Sequence, residues 1–166
     1  LNSQGHRSGY TPYYDILFRH IKNKKILLAE IGIELNASTR MWRKFFSKAK
    51  IYGLEFDNQK IIQAKKHGLK NTFYKEVNVS NQKSIKNTFL KINKKFDIII
   101  DDSTHYIDHQ INIIKETSPF LKKNGILIIE DIFKKRKNHS EEDYYKRLIN
   151  LKKNFQKIYF VEFHNL

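Results

Sequence analysis

Short apolar runs alternate with helical patterns along the whole chain, and this alternation limits the fold more than any other feature. Strand-like runs fall near Lys25–Ile33, Ile51–Glu55, Thr72–Val77, Phe96–Asp101, Gly125–Glu130 and Ile158–Phe163. A first helix is expected from Thr11 to Ile21, with Thr11 as cap and Pro12 at the first helical position. Further helical stretches lie near Ser38–Ala49, Asn58–Lys66, Gln82–Ile92, Tyr106–Leu121 and Glu141–Leu151. Strands that alternate with helices predict an α/β fold: a doubly wound, mostly parallel sheet with helices on both faces. Ligands of such sheets bind beyond the carboxyl ends of the strands, where strand order reverses.

Two strand ends stand out. Phe96-Asp97-Ile98-Ile99-Ile100-Asp101-Asp102-Ser103-Thr104-His105 and Gly125-Ile126-Leu127-Ile128-Ile129-Glu130-Asp131 are apolar runs that each stop on two carboxylates. As parallel neighbours their ends would lie about 5 Å apart. Asp102, Glu130 and Asp131 would then converge on one crevice with His105 at its edge. Three carboxylates that close repel one another unless a cation sits among them, and oxygen ligands suit a hard divalent ion. His105 alone reads as a polar residue at a helix start. Beside three acids it reads better as a general base, since the unperturbed histidine pKa of about 6.5 suits neutral pH. His109, one helical turn on, reads as a supporting or packing residue, and Asp101 as one that orients the loop.

The segment Leu27-Leu28-Ala29-Glu30-Ile31-Gly32-Ile33-Glu34-Leu35-Asn36-Ala37-Ser38 reads as strand, tight turn and helix start. Gly32 would let a ligand approach the backbone, Asn36 tolerates a left-handed conformation, and Ser38 can cap the helix. Alone, this is equally an ordinary strand-to-helix turn. The second strand ends on Glu55, where an acid can accept both ribose hydroxyls of a nucleoside cofactor. Asp57 is placed to cap the next helix. Gly32 and Glu55 in that order favour the cofactor reading.

The 166 residues are enough for one domain with a full core. The chain has no cysteine, which excludes disulfides, zinc-thiolate sites and thiol nucleophiles. No run is long and apolar enough to span a membrane, and the first residues are polar, which suits a cytoplasmic protein. The net charge is +15, from 26 Lys and 6 Arg against 17 acids. Readers of nucleic acid sequence lean on Arg, whereas Lys here is interleaved with Asn and Ile, so solvated surface is preferred over a nucleic-acid footprint. Lys134–Lys137 is the densest basic cluster.

Taken together, several segments resemble class I S-adenosylmethionine-dependent methyltransferases. More narrowly, they resemble the metal-dependent sugar O-methyltransferases of macrolide pathways, of macrocin and mycinamicin type, and the related cephalosporin-hydroxylase-like proteins. The residues that carry the resemblance begin with Gly9-Tyr10-Thr11 and Tyr13-Tyr14. They continue with Glu30-Ile31-Gly32-Ile33, Ser38 and Met41-Trp42, then Ile51-Tyr52-Gly53-Leu54-Glu55. Asp101-Asp102-Ser103-Thr104-His105 with His109-Gln110, and Leu121-Lys122-Lys123-Asn124-Gly125 leading to Glu130-Asp131, complete the set. It covers most of the chain, from Gly5 to Asp131.

The resemblance implies a Rossmann-like methyltransferase fold and residue roles. Gly32 and Glu30 line the methionine part of S-adenosyl-L-methionine, Glu55 holds the ribose, and Asn78 and Val79 contact adenine. Tyr10 meets the cofactor carboxylate or anchors the first helix, and Asp101 borders the cofactor. Asp102, Glu130 and Asp131 bind magnesium, and His105 is the catalytic base. Departures are Asn36 for a turn glycine, Ser103 for a glycine, Asn78 for an aspartate, Ser8 for a histidine, and Lys134–Lys137 for a Thr-Ser-Tyr-like segment. The chain ends at Leu166 where relatives form a final antiparallel strand, so a truncated domain, or one without that strand, is expected. The implied function is magnesium-dependent O-methyl transfer to a sugar or other hydroxylated small molecule. An RNA acceptor using the basic surface, or a non-catalytic relative that binds a nucleotide-like ligand, are the alternatives.

Overall fold

The structure, a computed structural model, describes residues 10–132, 135–136 and 139–161. Five strands, β1 (Leu27–Ile31), β2 (Lys50–Glu55), β3 (Thr72–Glu76), β4 (Phe96–Asp101) and β5 (Leu121–Ile129), form one sheet in the order β3-β2-β1-β4-β5. Every pairing in it is parallel. Helices α1 (Thr11–Phe18), α2 (Ala37–Phe45), α3 (Asn58–Lys66), α4 (Gln82–Ile92), α5 (Ile107–Thr117) and α6 (Glu141–Ile149) complete the order, with a short antiparallel pair, β6 (Lys135–Arg136) and β7 (His139–Ser140), before α6. Parallel neighbours need crossovers, and the helical stretches between the strand runs supply them.

Side chains alternate across the sheet. Leu28 and Ile98 face Tyr14, Phe18, Trp42 and Phe46 from the α1 and α2 side. Ala29, Ile31 and Ile99 face Phe89, Ile92 and Ile113 from α4 and α5. Phe18, Trp42 and Phe46 are buried together with ring centroids 5.7 to 6.3 Å apart. Each such side chain contributes about 1.5–3 kcal/mol through its removal from water.

The register sets the strand ends level. Ile31 lies opposite Leu54 and Asp101, and Asp101 opposite Ile129. Gly32, Asp102 and Glu130 therefore leave β1, β4 and β5 side by side, and the strand order reverses between β1 and β4.

Several local expectations are corrected. Asn36, not Ser38, is the cap residue of α2, so Ser38 lies inside the first turn. The helix stops at Phe45 because Phe46 leaves it, at φ −107° and ψ 78°, to enter the aromatic core. Asp57 does cap α3, accepting from the Gln59 N–H at 2.8 Å. Ile158–Val161 form no strand and lie exposed, while Glu162 and Phe163 are outside the described residues, as are Lys134 and Lys137. Among the described residues no helix is long and apolar enough to cross a membrane.

Candidate active site

Gly32 leaves β1 at φ +88°. A side-chain carbon there would stand 2.2 Å from the Asp102 carbonyl oxygen and 2.6 Å from Ser103 Cα. The loop after β4 thus crosses Gly32 closely. The crossing is fixed on both sides: the Gly32 N–H donates to Leu54 O at 2.8 Å, and the Asp102 N–H to Ile31 O at 2.9 Å. Asn36 takes the left-handed conformation, φ 66°. Its buried amide donates to the Tyr74 hydroxyl at 2.9 Å and meets His67 Nδ1 at 3.0 Å. Glycine could hold that backbone but could not tie the turn to α3 and β3.

Glu55 closes the turn from β2. Its Oε2 accepts from the Ile33 and Glu34 N–H groups at 3.3 and 3.2 Å, and its Oε1 from Phe56 and Asp57 at 2.8 and 3.1 Å. The carboxylate stays half-buried at the mouth between the two strand ends. Asn78 shapes its own loop, accepting from the Ser80 N–H at 3.0 Å and donating its N–H to Ser84 Oγ at 3.0 Å. The Val79 side chain belongs to the core beneath α4, so only its backbone can meet a ligand. Glu30 is 1% exposed. It accepts from Trp42 Nε1 at 3.0 Å and from the Thr39 hydroxyl. Burial pushes its carboxyl up to about 7, against the pull of those donors. This carboxyl fastens α2 to β1.

At the β4 end, Asp101 is buried and turns its own loop. Its Oδ1 accepts from the Ser103 hydroxyl at 2.6 Å and N–H at 3.2 Å, an aspartate turn. Burial raises it to about 6. Beyond it, Asp102, His105 and Asp131 bring ligand atoms within 4.8 Å of one another. His105 Nε2 lies 3.9 Å from Asp102 Oδ1 and 3.8 Å from Asp131 Oδ2. His105 and Asp131 both have left-handed backbones, φ 56° and 51°.

Glu130 is not one of those three groups, but it lies close enough for its charge to act on Asp102. Its side chain accepts from the Tyr14 hydroxyl, as Asp131 does from Tyr10. These tyrosines lie one helical turn apart at the start of α1, so one helix face meets both acids. Gln110 of α5 is buried and donates to the Glu130 carbonyl at 3.1 Å. Its Oε1 is the one buried side-chain polar atom without a partner among the described residues. Tyr14 and Gln110 were not singled out as site residues from sequence. The i, i+4 spacing of Tyr10 and Tyr14 is the signal that points to the first; a buried amide on the face of α5 that packs on β5 has no local signal.

Burial raises Asp102 to about 8, helped by Glu130, Glu30, Asp131 and Asp101. Burial raises Glu130 to about 7, opposed by the Tyr14 bond and helped by Glu30, Asp131 and Asp101. Burial and the adjoining acids push Tyr10 and Tyr14 above the ordinary phenol range, so both remain neutral donors. The donor chemistry fits magnesium, which takes one or two carboxylate oxygens and keeps waters. Asp102 and Asp131, with Glu130 beside them, offer such oxygens; the His105 nitrogen is a softer donor.

A pH dependence follows. Without a cation, thermal stability should fall as pH rises from about 4 to about 8. Asp102 and Glu130 keep their protons to about 8 and about 7 when folded, but release them near 4 when unfolded. The folded state binds more protons across this window, so their contribution is complete below it and lost as they ionise. Melts at about pH 5 and about pH 8.5 check this, and magnesium should restore at the higher pH what was lost. A melting temperature that does not change with pH would contradict the crowding of these acids.

Known proteins share this architecture. A methyltransferase domain matches residues 30–163. The demethylmacrocin O-methyltransferase of Streptomyces fradiae is 30% identical over 131 residues, which are 75% of this chain and 32% of that protein. The mycinamicin VI 2''-O-methyltransferase of Micromonospora griseorubida is 28% identical over 131 residues, 75% of this chain and 31% of that one. The chain thus spans about a third of the length of these curated relatives. Among solved structures, the MycE methyltransferase of the mycinamycin biosynthetic pathway, in complex with Mg and SAH, aligns with a TM-score of 0.67 and 25% identity over 78% of this chain and 33% of that chain. A second MycE structure, with Mg, SAH and mycinamycin VI, gives a TM-score of 0.71 at 22% identity over 88% of this chain and 43% of that chain. The family match runs from Glu30 in β1 past the end of β5 and takes in Gly32, Glu55, the acid pairs and His105. The chain belongs to the methyltransferase-domain family.

Proposed function

We propose that the chain is a single S-adenosylmethionine-dependent O-methyltransferase domain that uses magnesium and acts on a sugar or another hydroxylated small molecule. The observation that carries this reading is the meeting of Asp102, His105 and Asp131 beside the Gly32 turn, where the strand order reverses. It is supported by relatives named as O-methyltransferases, two of them of rhamnosyl and olivosyl compounds, and by the MycE complex with Mg and SAH. A cytoplasmic location goes with it, and the cysteine-free composition is in keeping.

S-adenosylmethionine, when bound, supplies a methyl group on a sulfonium, open to in-line attack by an oxygen. Magnesium, when bound, supplies charge that lowers the pKa of a hydroxyl. Asp102, Glu130 and Asp131 would hold the ion. Tyr10, on the Asp131 carboxylate, and Gln110, on the neighbouring backbone, fix where Asp131 points. His105 Nε2 takes the acceptor's hydroxyl proton. Glu55 accepts from the ribose hydroxyls, and Asn78 with the Val79 backbone borders the adenine. Tyr10 and Asp101 line the side of the cofactor nearest the acids.

Glu55→Ala should weaken S-adenosylmethionine binding by about 1.5–3 kcal/mol, the usual range for bonds to a charged group. Calorimetry on the folded variant checks this, and unchanged affinity would remove Glu55 from the ribose. The function itself is tested by transfer of a labelled methyl group to a panel of deoxysugar glycosides and sugar nucleotides, with magnesium or with chelator. Magnesium-dependent transfer is expected, abolished in Asp131→Asn while cofactor binding survives. Equal transfer in chelator would count against the metal-assisted reading.

A further inference from the structure

The two poles of the sheet carry opposite charge. The carboxyl ends of the strands bear acids, among them Glu55, Asp102 and Asp131. The loops that enter the strands at residues 22–26, 46–49, 67–71 and 93–95 contain lysines and no acid. Lys25, Lys48, Lys50 and Lys94 line a cleft of about 530 Å³ at this amino pole, floored by Ile26 and Leu27. All four are exposed, and none is in an ion pair among the described residues. The nearby acid, Asp97, is already engaged: its Oδ2 accepts from the Leu27 N–H and from Lys122 Nζ, each at 2.7 Å. With Lys70 before β3, the basic row crosses the sheet from β3 to β4, about 14 Å at the usual strand spacing.

We infer that this cleft is a binding site for the phosphate backbone of a single-stranded nucleic acid, distinct from the acid crevice. Folding places four like charges together without counter-charges, so an anionic partner would relieve their repulsion. Lysines are point charges suited to phosphates, a charged groove is what tracks a single-stranded backbone, and the lining lacks the arginine forks that read base edges. Binding is therefore sequence-independent. A protein partner fits less well, since interface cores are depleted of Lys. A flat bilayer cannot enter a concave cleft. The strands of β1 and β2 separate the two poles by about 16–20 Å, so a chain held here does not place a nucleotide at His105. The inference does not depend on the methyltransferase reading and is tested without S-adenosylmethionine.

Fluorescence anisotropy with a labelled oligo(dT) and an oligo(U), each about 20 nucleotides long, gives the direct test. Four phosphate contacts predict a slope near −3 for log affinity against log salt, about a 50-fold loss between about 50 and 200 mM. Changing Lys25, Lys48, Lys50 and Lys94 together to Glu, or to Gln as a milder set, should remove most binding at the lower salt. A charge-matched variant with Lys75, Lys83, Lys86 and Lys153 changed to Glu should keep most of it. Equal loss in both variants would mean that net charge alone attracts the chain and would overturn the site. Cosedimentation of the wild type with phosphatidylserine vesicles, without oligonucleotide binding, would overturn it in favour of a membrane surface. Absence of oligonucleotide binding at about 50 mM salt would overturn it outright.

Discussion

Gly32→Ala should destabilise the protein by about 3–5 kcal/mol, a large part of the 5–15 kcal/mol typical of a domain. Two costs combine. The residue sits at φ +88°, where an L side chain is strained, and its new carbon would stand 2.2 Å from the Asp102 carbonyl oxygen. That neighbour is backbone, so relief means moving the loop that carries Asp102 and His105. Gly68→Ala is the internal control. It has φ +58° but nothing within 4 Å of a side-chain carbon, so it should cost only about 1–2 kcal/mol. Urea melts of the two variants separate clash from strain. Similar costs for both would mean that the loop after β4 does not press on Gly32.

His105→Asn should lower turnover by about 10²–10⁴-fold, the usual range for loss of a general base, with cofactor and magnesium affinity nearly intact. Asparagine is chosen because residue 105 has φ 56°, a conformation that asparagine tolerates and alanine does not. His105→Ala would mix backbone strain with lost chemistry. Asp102 and Asp131 flank the ring at 3.9 and 3.8 Å and hold it toward the crevice. The rival account is that charge at the acid site acidifies the acceptor hydroxyl without a protein base. Near-normal turnover in His105→Asn would select that account.

Much of the fold was legible because local signals and tertiary demands agree. Asn58–Lys66, Gln82–Ile92 and Phe96–Asp101 begin and end where the periodicity and caps place them. Asn36 carries the left-handed turn, as a residue that tolerates it should. Elsewhere a distant contact decided. Phe46 leaves α2 for the aromatic core, and β5 starts at Leu121 rather than Gly125, extended through the polar Lys122-Lys123-Asn124 beside Phe96. Ile158–Val161 is apolar enough to be read as a strand, but a short apolar run does not choose its partner.

The site was legible in outline only. The acids and His105 were readable because unlike residues crowd two strand ends. Which acids face one another was not, because that depends on side chains from elsewhere. Tyr14 engages one oxygen of Glu130, and Trp42 with Thr39 holds Glu30 in the core. Glu30 alternates with buried Leu28 on the α2 face of β1, which is the strand-period clue to its burial. No such clue exists for Glu130, whose fate is set by a helix more than a hundred residues earlier.

Calorimetric titration with S-adenosylmethionine, with and without magnesium, tests the central claim most directly. The cofactor should bind the folded wild-type chain and bind more weakly to Glu55→Ala. Magnesium should give a separate heat that Asp131→Asn removes without disturbing the cofactor. A folded chain that gives no heat with S-adenosylmethionine, in magnesium or without it, would contradict the assignment of the crevice at the β1 and β4 ends.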